Sequence, residues 1–282
     1  EAVEAARAAD VVVVVVGEAK EHSGESASAT TLELSATQRR LVDALSRCDA
    51  PMVLLVLAGR PLALEHEANV ADAVLYSWFA GTETGNGLAD VLTGRADPAG
   101  RLAAAFPART GQVPVFHAAE PTGRPNPGRF EKFKTGYLDL PDSVGGATGL
   151  FPFGFGLSYT RFRYGLPTVD RLTLRGMDDR VTVRVLVENV GDRPGSDVVQ
   201  LYVSDPVARI TQPVRRLCGF EKLSLAPGEA REATFTLSAR DFAYPVAEKL
   251  DDVEWVLDPG TLVLSVGPHS GNLQSVDISW AP

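Results

Sequence analysis

VVVVVVGEAKEHSGESASATTLELSATQ, residues 11–38, decides the reading of this 282-residue chain. Six consecutive valines predict a strand buried on both faces, the pattern of a parallel sheet covered by helices. The strand runs into a polar, glycine-containing loop that displays Glu18, Glu21, His22 and Glu25. Ser35 then offers an N-cap for a helix over 35–47, with Leu41, Val42 and Leu45 at helical spacing. In open α/β sheets of this kind, chemistry gathers in the loops beyond the carboxyl ends of the strands. The carboxylates of this loop are therefore the first candidates for a reactive site.

Working outward, residues 1–9 predict a helix that feeds the valine strand, and 52–57 and 73–78 predict two further buried strands. Residues 83–92 predict another helix, ended by Gly94. Repetition of strand, crossover and strand implies a parallel sheet with right-handed connections. A helix immediately before a central-looking strand predicts that further elements of the same sheet precede it. Residues 107–150 lose all periodicity, an uncommon length for an irregular segment in a compact domain. They close on the aromatic run LFPFGFGLSYT, residues 150–160.

From about Phe162 the pattern changes to short alternating strands over 181–188, 197–203, 233–237 and 261–266, separated by Pro/Gly turns at 191–195 and 226–229. That pattern argues a β-sandwich, and without a bridging cysteine pair it is of fibronectin type III rather than immunoglobulin type. The expected fold is thus α/β plus all-β. A partial α/β/α sandwich with a mostly parallel sheet occupies 1–160, lacking its amino-terminal part. A fibronectin type III-like β-sandwich occupies 161–282.

Apolar residues make up 45% and charged residues 22% of the chain, as in soluble globular proteins. A formal net charge of −9 argues against nucleic-acid and anionic-membrane partners. No apolar run approaches the roughly 18–20 residues of a membrane span, and the polar, alanine-rich residues 1–10 do not read as a signal peptide. Cys48 and Cys218 have no Cys or His at metal-ligand spacing, so no zinc site is expected and no disulfide is assigned. GTETGNG, residues 81–87, lacks both the G-x-G-x-x-G spacing and a Walker lysine, so no nucleotide site is expected there. Its glycines predict a tight strand-to-helix turn and close packing.

Several blocks carry a resemblance to a known family. They are VVVVVVGEAKEHSGESAS (11–28), LVLAGRPLAL (55–64), WFAGTETGNGLADVLTGRADPAGRL (78–102), KFKTGYLD (132–139), LFPFGFGLSYT (150–160), GSDVVQLYV (195–203) and LCGFEKLSLAPGE (217–229). In this order and spacing the chain resembles the carboxyl-terminal half of a glycoside hydrolase family 3 enzyme, closest to bacterial periplasmic or secreted β-glucosidases. The resemblance implies three domains: a (β/α)₈-like barrel, an α/β sandwich and a fibronectin type III-like module. It places the Asp nucleophile on the barrel, which these residues do not contain.

Retaining hydrolysis needs two carboxyl groups roughly 5–5.5 Å apart, one a nucleophile and one an acid/base. Laid on this chain, the family's acid/base glutamate falls at Glu25. Its expected role is to protonate the glycosidic oxygen and then deprotonate the incoming water. Glu18 stands too close to the strand to reach far and is expected to anchor the loop by hydrogen bonding, while Glu21 is expected to be solvated. His22 is a candidate to steer the acid. Relatives commonly carry Arg where this chain has Ala29, which removes one anchor of the loop. Tyr137 and Asp139 match a block that approaches the active site in the family. Phe151, Phe153, Phe155 and Tyr159 are expected to glue the two domains together.

The implied partners are a β-glucoside or short β-linked oligosaccharide and a barrel domain, in the same polypeptide or as a separate chain. The chemistry requires no cofactor and no metal. Apolar surface where the barrel docks makes self-association, a homodimer included, a further expectation. Two alternatives stay open: a non-catalytic carbohydrate-binding or scaffolding module, and a β-xylosidase of the same family. Without the barrel, the chain alone is expected to be inactive.

Overall fold

The computed structural model describes residues 1–22, 24–124, 136–140, 149–247 and 252–282. Ser23, the first four residues of the KFKTGYLD block and much of the irregular segment lie outside the described residues. The first half holds α1 (Ala2–Arg7), β1 (Val12–Gly17), α2 (Ala36–Leu45), β2 (Met52–Leu57), α3 (Glu65–Val70), β3 (Ala73–Tyr76) and α4 (Thr84–Leu92). Strands β1, β2 and β3 pair in that order, all parallel, with Val14 opposite Leu54 and Leu54 opposite Val74. Ser35 caps α2, its hydroxyl accepting from the Gln38 amide at 3.3 Å. Gly94 ends α4, its amide donating to the Val91 carbonyl.

One expectation fails at the first strand. Among the described residues β1 pairs with β2 alone, and its burial alternates. Val14 and Val16 are 5% and 4% exposed, whereas Val11, Val13 and Val15 are 52%, 47% and 58% exposed. The even face packs with Ala6, Val42, Leu45, Met52, Leu54 and Val56 beneath α1 and α2. Side chains alternate across a strand, so the odd valines face away from that layer, and nothing among the described residues covers them. The helix α3 carried no periodic signal and was not foreseen. Two of its six residues, Glu65 and Glu67, are buried carboxylates held by Arg109 and Arg39. Gly85 and Gly87 do not serve close packing, since a Cβ at either would meet nothing within 4 Å.

The second half is a β-sandwich. One sheet runs β10 (Ala230–Ser238), β7 (Arg180–Asn189), β4 (Phe162–Tyr164), with β5 (Thr168–Val169) also on β7. The other runs β6 (Thr173–Leu174), β14 (Asn272–Trp280), β13 (Gly260–His269), β8 (Gly195–Ser204), β9 (Arg216–Leu225). A ribbon of β11 (Tyr244–Ala247) and β12 (Val253–Val256) completes it. Inward residues of both sheets form one core, among them Val183, Val185, Leu201, Leu223, Leu264 and Trp280. Period-2 alternation in β7 and β10 drives this packing.

The two halves are joined by buried polar chemistry. Arg101 reaches across to Asp197 with Nη2–Oδ1 at 2.5 Å, both side chains under 10% exposed. Tyr164 donates to the other Asp197 oxygen at 2.7 Å. Asp97 accepts from Ser158, from the Tyr159 amide and from the Ser196 amide. The aromatic run lies along the same junction. Phe151 stacks with Phe155 and packs edge-on against Phe106, His117 stacks on Phe153 at 4.0 Å, and Phe155 meets His269.

Replacing Arg101 by Met leaves Asp197 buried and without its cation. Loss of one partner of a buried pair costs about 3–5 kcal/mol, so the urea midpoint of Arg101→Met should fall well below that of the parent, and further than for Arg101→Lys. The junction histidines set a pH dependence. Burial first, and the Arg215 cation second, hold His117 below its ordinary 6.5. Burial lowers His269 as well, opposed by Asp197 and assisted by Arg101. Neutral rings are favoured in the fold, so their contribution is complete above pH 6.5 and is lost as pH falls through the lowered folded values. The urea midpoint should therefore decline as pH falls below about 6.5, and less steeply in a His117→Gln/His269→Gln double variant.

Candidate active-site rim

The carboxyl ends of β1, β2 and β3 form one rim, and the loop that follows β1 is tied to it. Gly17 closes β1 where the backbone comes so near β2 that a Cβ would lie 1.9 Å from the Leu57 carbonyl oxygen. Gln38 on α2 holds the same point, donating to the Gly17 carbonyl at 3.0 Å and accepting from its amide at 3.3 Å. The side chain of Glu18 then turns inward. It pairs with Arg60 at 2.9 Å and accepts from the Gly59 amide at 3.3 Å. Arg60, just beyond β2, donates in turn to the His22 carbonyl at 2.9 Å. The expected anchoring role of Glu18 is thus visible as a chain of contacts: β1, Glu18, Arg60, His22.

Tyr76 at the end of β3 closes the rim from below, its hydroxyl donating to the Arg60 carbonyl. Burial, and secondly the Glu18 carboxylate, push this phenol above its ordinary value, so it stays a donor. Arg60 escaped the sequence reading, although it stands inside a quoted block. Its role depends on a crossover that brings residues 18 and 60 together, which no local pattern announces.

Glu25 sits at the crown of a tight turn. The Ala27 amide donates to the Gly24 carbonyl at 3.2 Å, and Ser26 has φ +65°, the arrangement of a type II turn. The Glu25 side chain is exposed, as is that of Glu21, which pairs with Lys20 at 3.9 Å. The His22 side chain is exposed as well, and it is its backbone, not its ring, that the rim holds. After the turn the chain is fastened again. The Leu32 amide donates to Thr110 at 3.0 Å, and the Ala63 amide donates to the Leu32 carbonyl at 2.8 Å. The loop is thus held at both ends.

Tyr137 is half-buried, its hydroxyl 3.4 Å from the Gln112 carbonyl, and Asp139 is exposed. Neither is brought to the crown of the loop by a contact among the described residues. No group of three or more His, Cys, Asp or Glu there could hold a metal ion, and no helix is long and apolar enough to cross a membrane.

Comparison with known proteins places this rim in a family. Residues 1–159 match the glycosyl hydrolase family 3 C-terminal domain, and residues 197–270 match the fibronectin type III-like domain. The chain is 40% identical over 275 residues to a periplasmic β-glucosidase of Salmonella typhimurium, covering 97% of this chain and 35% of that protein. It is 34% identical to a β-xylosidase of Formosa agariphila, covering 96% of this chain and 35% of the relative. Among solved structures it superposes on a β-glucosidase from Listeria innocua in complex with gluconolactone, with a TM-score of 0.90 and 33% identity, over 99% of this chain and 38% of that one. The chain therefore spans about a third of the length of the relatives it matches. A parallel sheet with a loop-borne carboxylate at its rim, joined to a fibronectin type III-like sandwich, belongs in this protein to glycosyl hydrolase family 3.

Proposed function

We propose that this chain carries the acid/base half of a retaining, exo-acting β-glucosidase, with Glu25 as the acid/base. The nucleophilic Asp would stand on a (β/α)₈-like barrel outside these residues, and the substrate would be a terminal, non-reducing β-D-glucosyl unit. The observation that carries the proposal is the position of Glu25. It is an unencumbered carboxylate at the crown of a turn, beyond the carboxyl end of a parallel strand, on a loop whose two ends are fixed. Such a group can enter a cleft formed with a second domain and meet the glycosidic oxygen there. It protonates that oxygen as the nucleophile attacks, and it then takes a proton from the water that releases the sugar.

The division of the chain near residue 160 follows from this reading. The α/β part presents the acid, and the sandwich braces it through Arg101 and Asp97. The name of the Salmonella relative supports a periplasmic location. The odd valines of β1 offer apolar surface for the barrel or, failing it, for a second copy. The Formosa relative supports a second reading, a β-xylosidase with the same machinery. Turnover of 4-nitrophenyl β-D-xyloside against the β-D-glucoside separates the two.

Joined to a family 3 barrel, the chain should hydrolyse 4-nitrophenyl β-D-glucoside, and Glu25→Gln should lower kcat about 10³-fold. Azide should restore turnover to that variant with β-glucosyl azide as product, because an anionic nucleophile needs no general base. Full activity in Glu25→Gln would end the assignment, and sugar binding without turnover in the parent would favour a non-catalytic module. The loop anchor has its own readout. Arg60→Met should speed amide exchange over residues 20–28 while leaving β2 and β3 protected.

A further inference from the structure

Beside the Glu25 loop the rim carries an aromatic ring that the acid/base reading does not use. Phe79 follows β3 and is 51% exposed. The residue before it, Trp78, has φ +56°, a backbone conformation that a bulky L-residue adopts only under constraint. Trp78 itself is wedged edge-on between Tyr76 at 5.0 Å and Phe106 at 5.8 Å. With Trp78 held between a half-buried and a buried ring, the backbone turns there, and Phe79 follows on the exposed side. The ring lies on Gly59, where a Cβ would be 2.8 Å from its Cε2 atom. Gly59 in turn donates to Glu18, and its neighbour Arg60 holds His22. Phe79 and the loop that displays Glu25 therefore rest on one body.

We propose that Phe79 is the stacking platform for the aglycone, the sugar ring or aryl group that departs when the glycosidic bond breaks. The proposal rests on the assignment of Glu25. A residue that protonates the leaving oxygen stands on the leaving group's side of the bond, so a ring built on the same rim faces the group that departs. An aromatic face suits the C–H face of a pyranose or a flat aryl group, and a half-exposed ring has apolar area to give. Strain at Trp78 and the missing side chain at Gly59 are then features that aim the ring.

The test uses the chain joined to a barrel, with three donors: laminaribiose, 4-nitrophenyl β-D-glucoside and β-D-glucosyl fluoride, whose leaving group is a single atom. Phe79→Ala should lower kcat/KM about tenfold for the first two, chiefly through KM, and change the fluoride by no more than about twofold. Phe79→Tyr should restore the parent values. Gly59→Ala, which displaces the ring without removing it, should reproduce the aglycone-selective loss. Unchanged kinetics in Phe79→Ala would overturn the proposal. An equal loss for all three donors with a lowered Tm would also overturn it, showing a ring packed against another part of a longer polypeptide. Failure of the acid assignment reads differently. Glu25→Gln would then retain turnover, while the donor dependence of Phe79→Ala would still report on the platform.

Discussion

The structure depends on one buried ion pair. Arg101 leaves the irregular stretch after α4 and enters the sandwich to meet Asp197, whose second oxygen is taken by Tyr164. Two charges withdrawn from water cost several kcal/mol each unless geometry and hydrogen bonding compensate. Here the Val198 amide also donates to Asp197, so the carboxylate is held from three sides. Such a pair gives little stability relative to an apolar joint, but its contacts tie the irregular stretch after α4 to β4 and β8. Asp97, four residues before Arg101, adds a second polar tie between the halves, accepting from the Ser158 hydroxyl and from the Tyr159 and Ser196 amides.

The parallel sheet is half of what such sheets usually are. Its even face is a packed core beneath α1 and α2, and its odd face at β1 is open. Exposed valines in a row make an adhesive surface, and all-parallel sheets are ordinarily covered on both faces. The relatives, nearly three times as long, have ample chain to supply such cover. The chemistry proposed for Glu25 makes the same demand, because one carboxylate cannot carry out a two-carboxylate reaction.

At the rim, rigidity and freedom are divided between neighbouring residues. Glu18, Arg60, Tyr76 and Gln38 fix the base of the loop, and the segment after it is pinned at Leu32. Among the described residues, the crown carrying Glu25 shows the bond of its own turn, from the Ala27 amide to the Gly24 carbonyl. The acid proposed at Glu25 would act from a turn whose base is firmly held. Phe79 is the opposite case, a side chain whose direction is dictated by backbone strain and by a glycine beneath it.

What the sequence by itself determined is the set of local choices. Valine runs, the Ser35 cap, Gly94 and the Pro/Gly turns of the second half specify strands, helix ends and a sandwich through propensity and period, which are properties of a few adjacent residues. The block order also points to the family, and it is the family's motif that makes Glu25 the candidate acid. Tertiary structure decided what depends on distant partners. Six valines read alike whether a sheet is covered on one face or two, so only packing reveals the alternating burial of β1 among the described residues. The short helix α3 is held by ion pairs from Arg39 and Arg109 rather than by periodicity. Arg60 and Phe79 gain meaning only when crossovers bring residues 18, 59 and 79 to one rim, because contacts made at the ends of parallel strands join residues that are far apart in the chain.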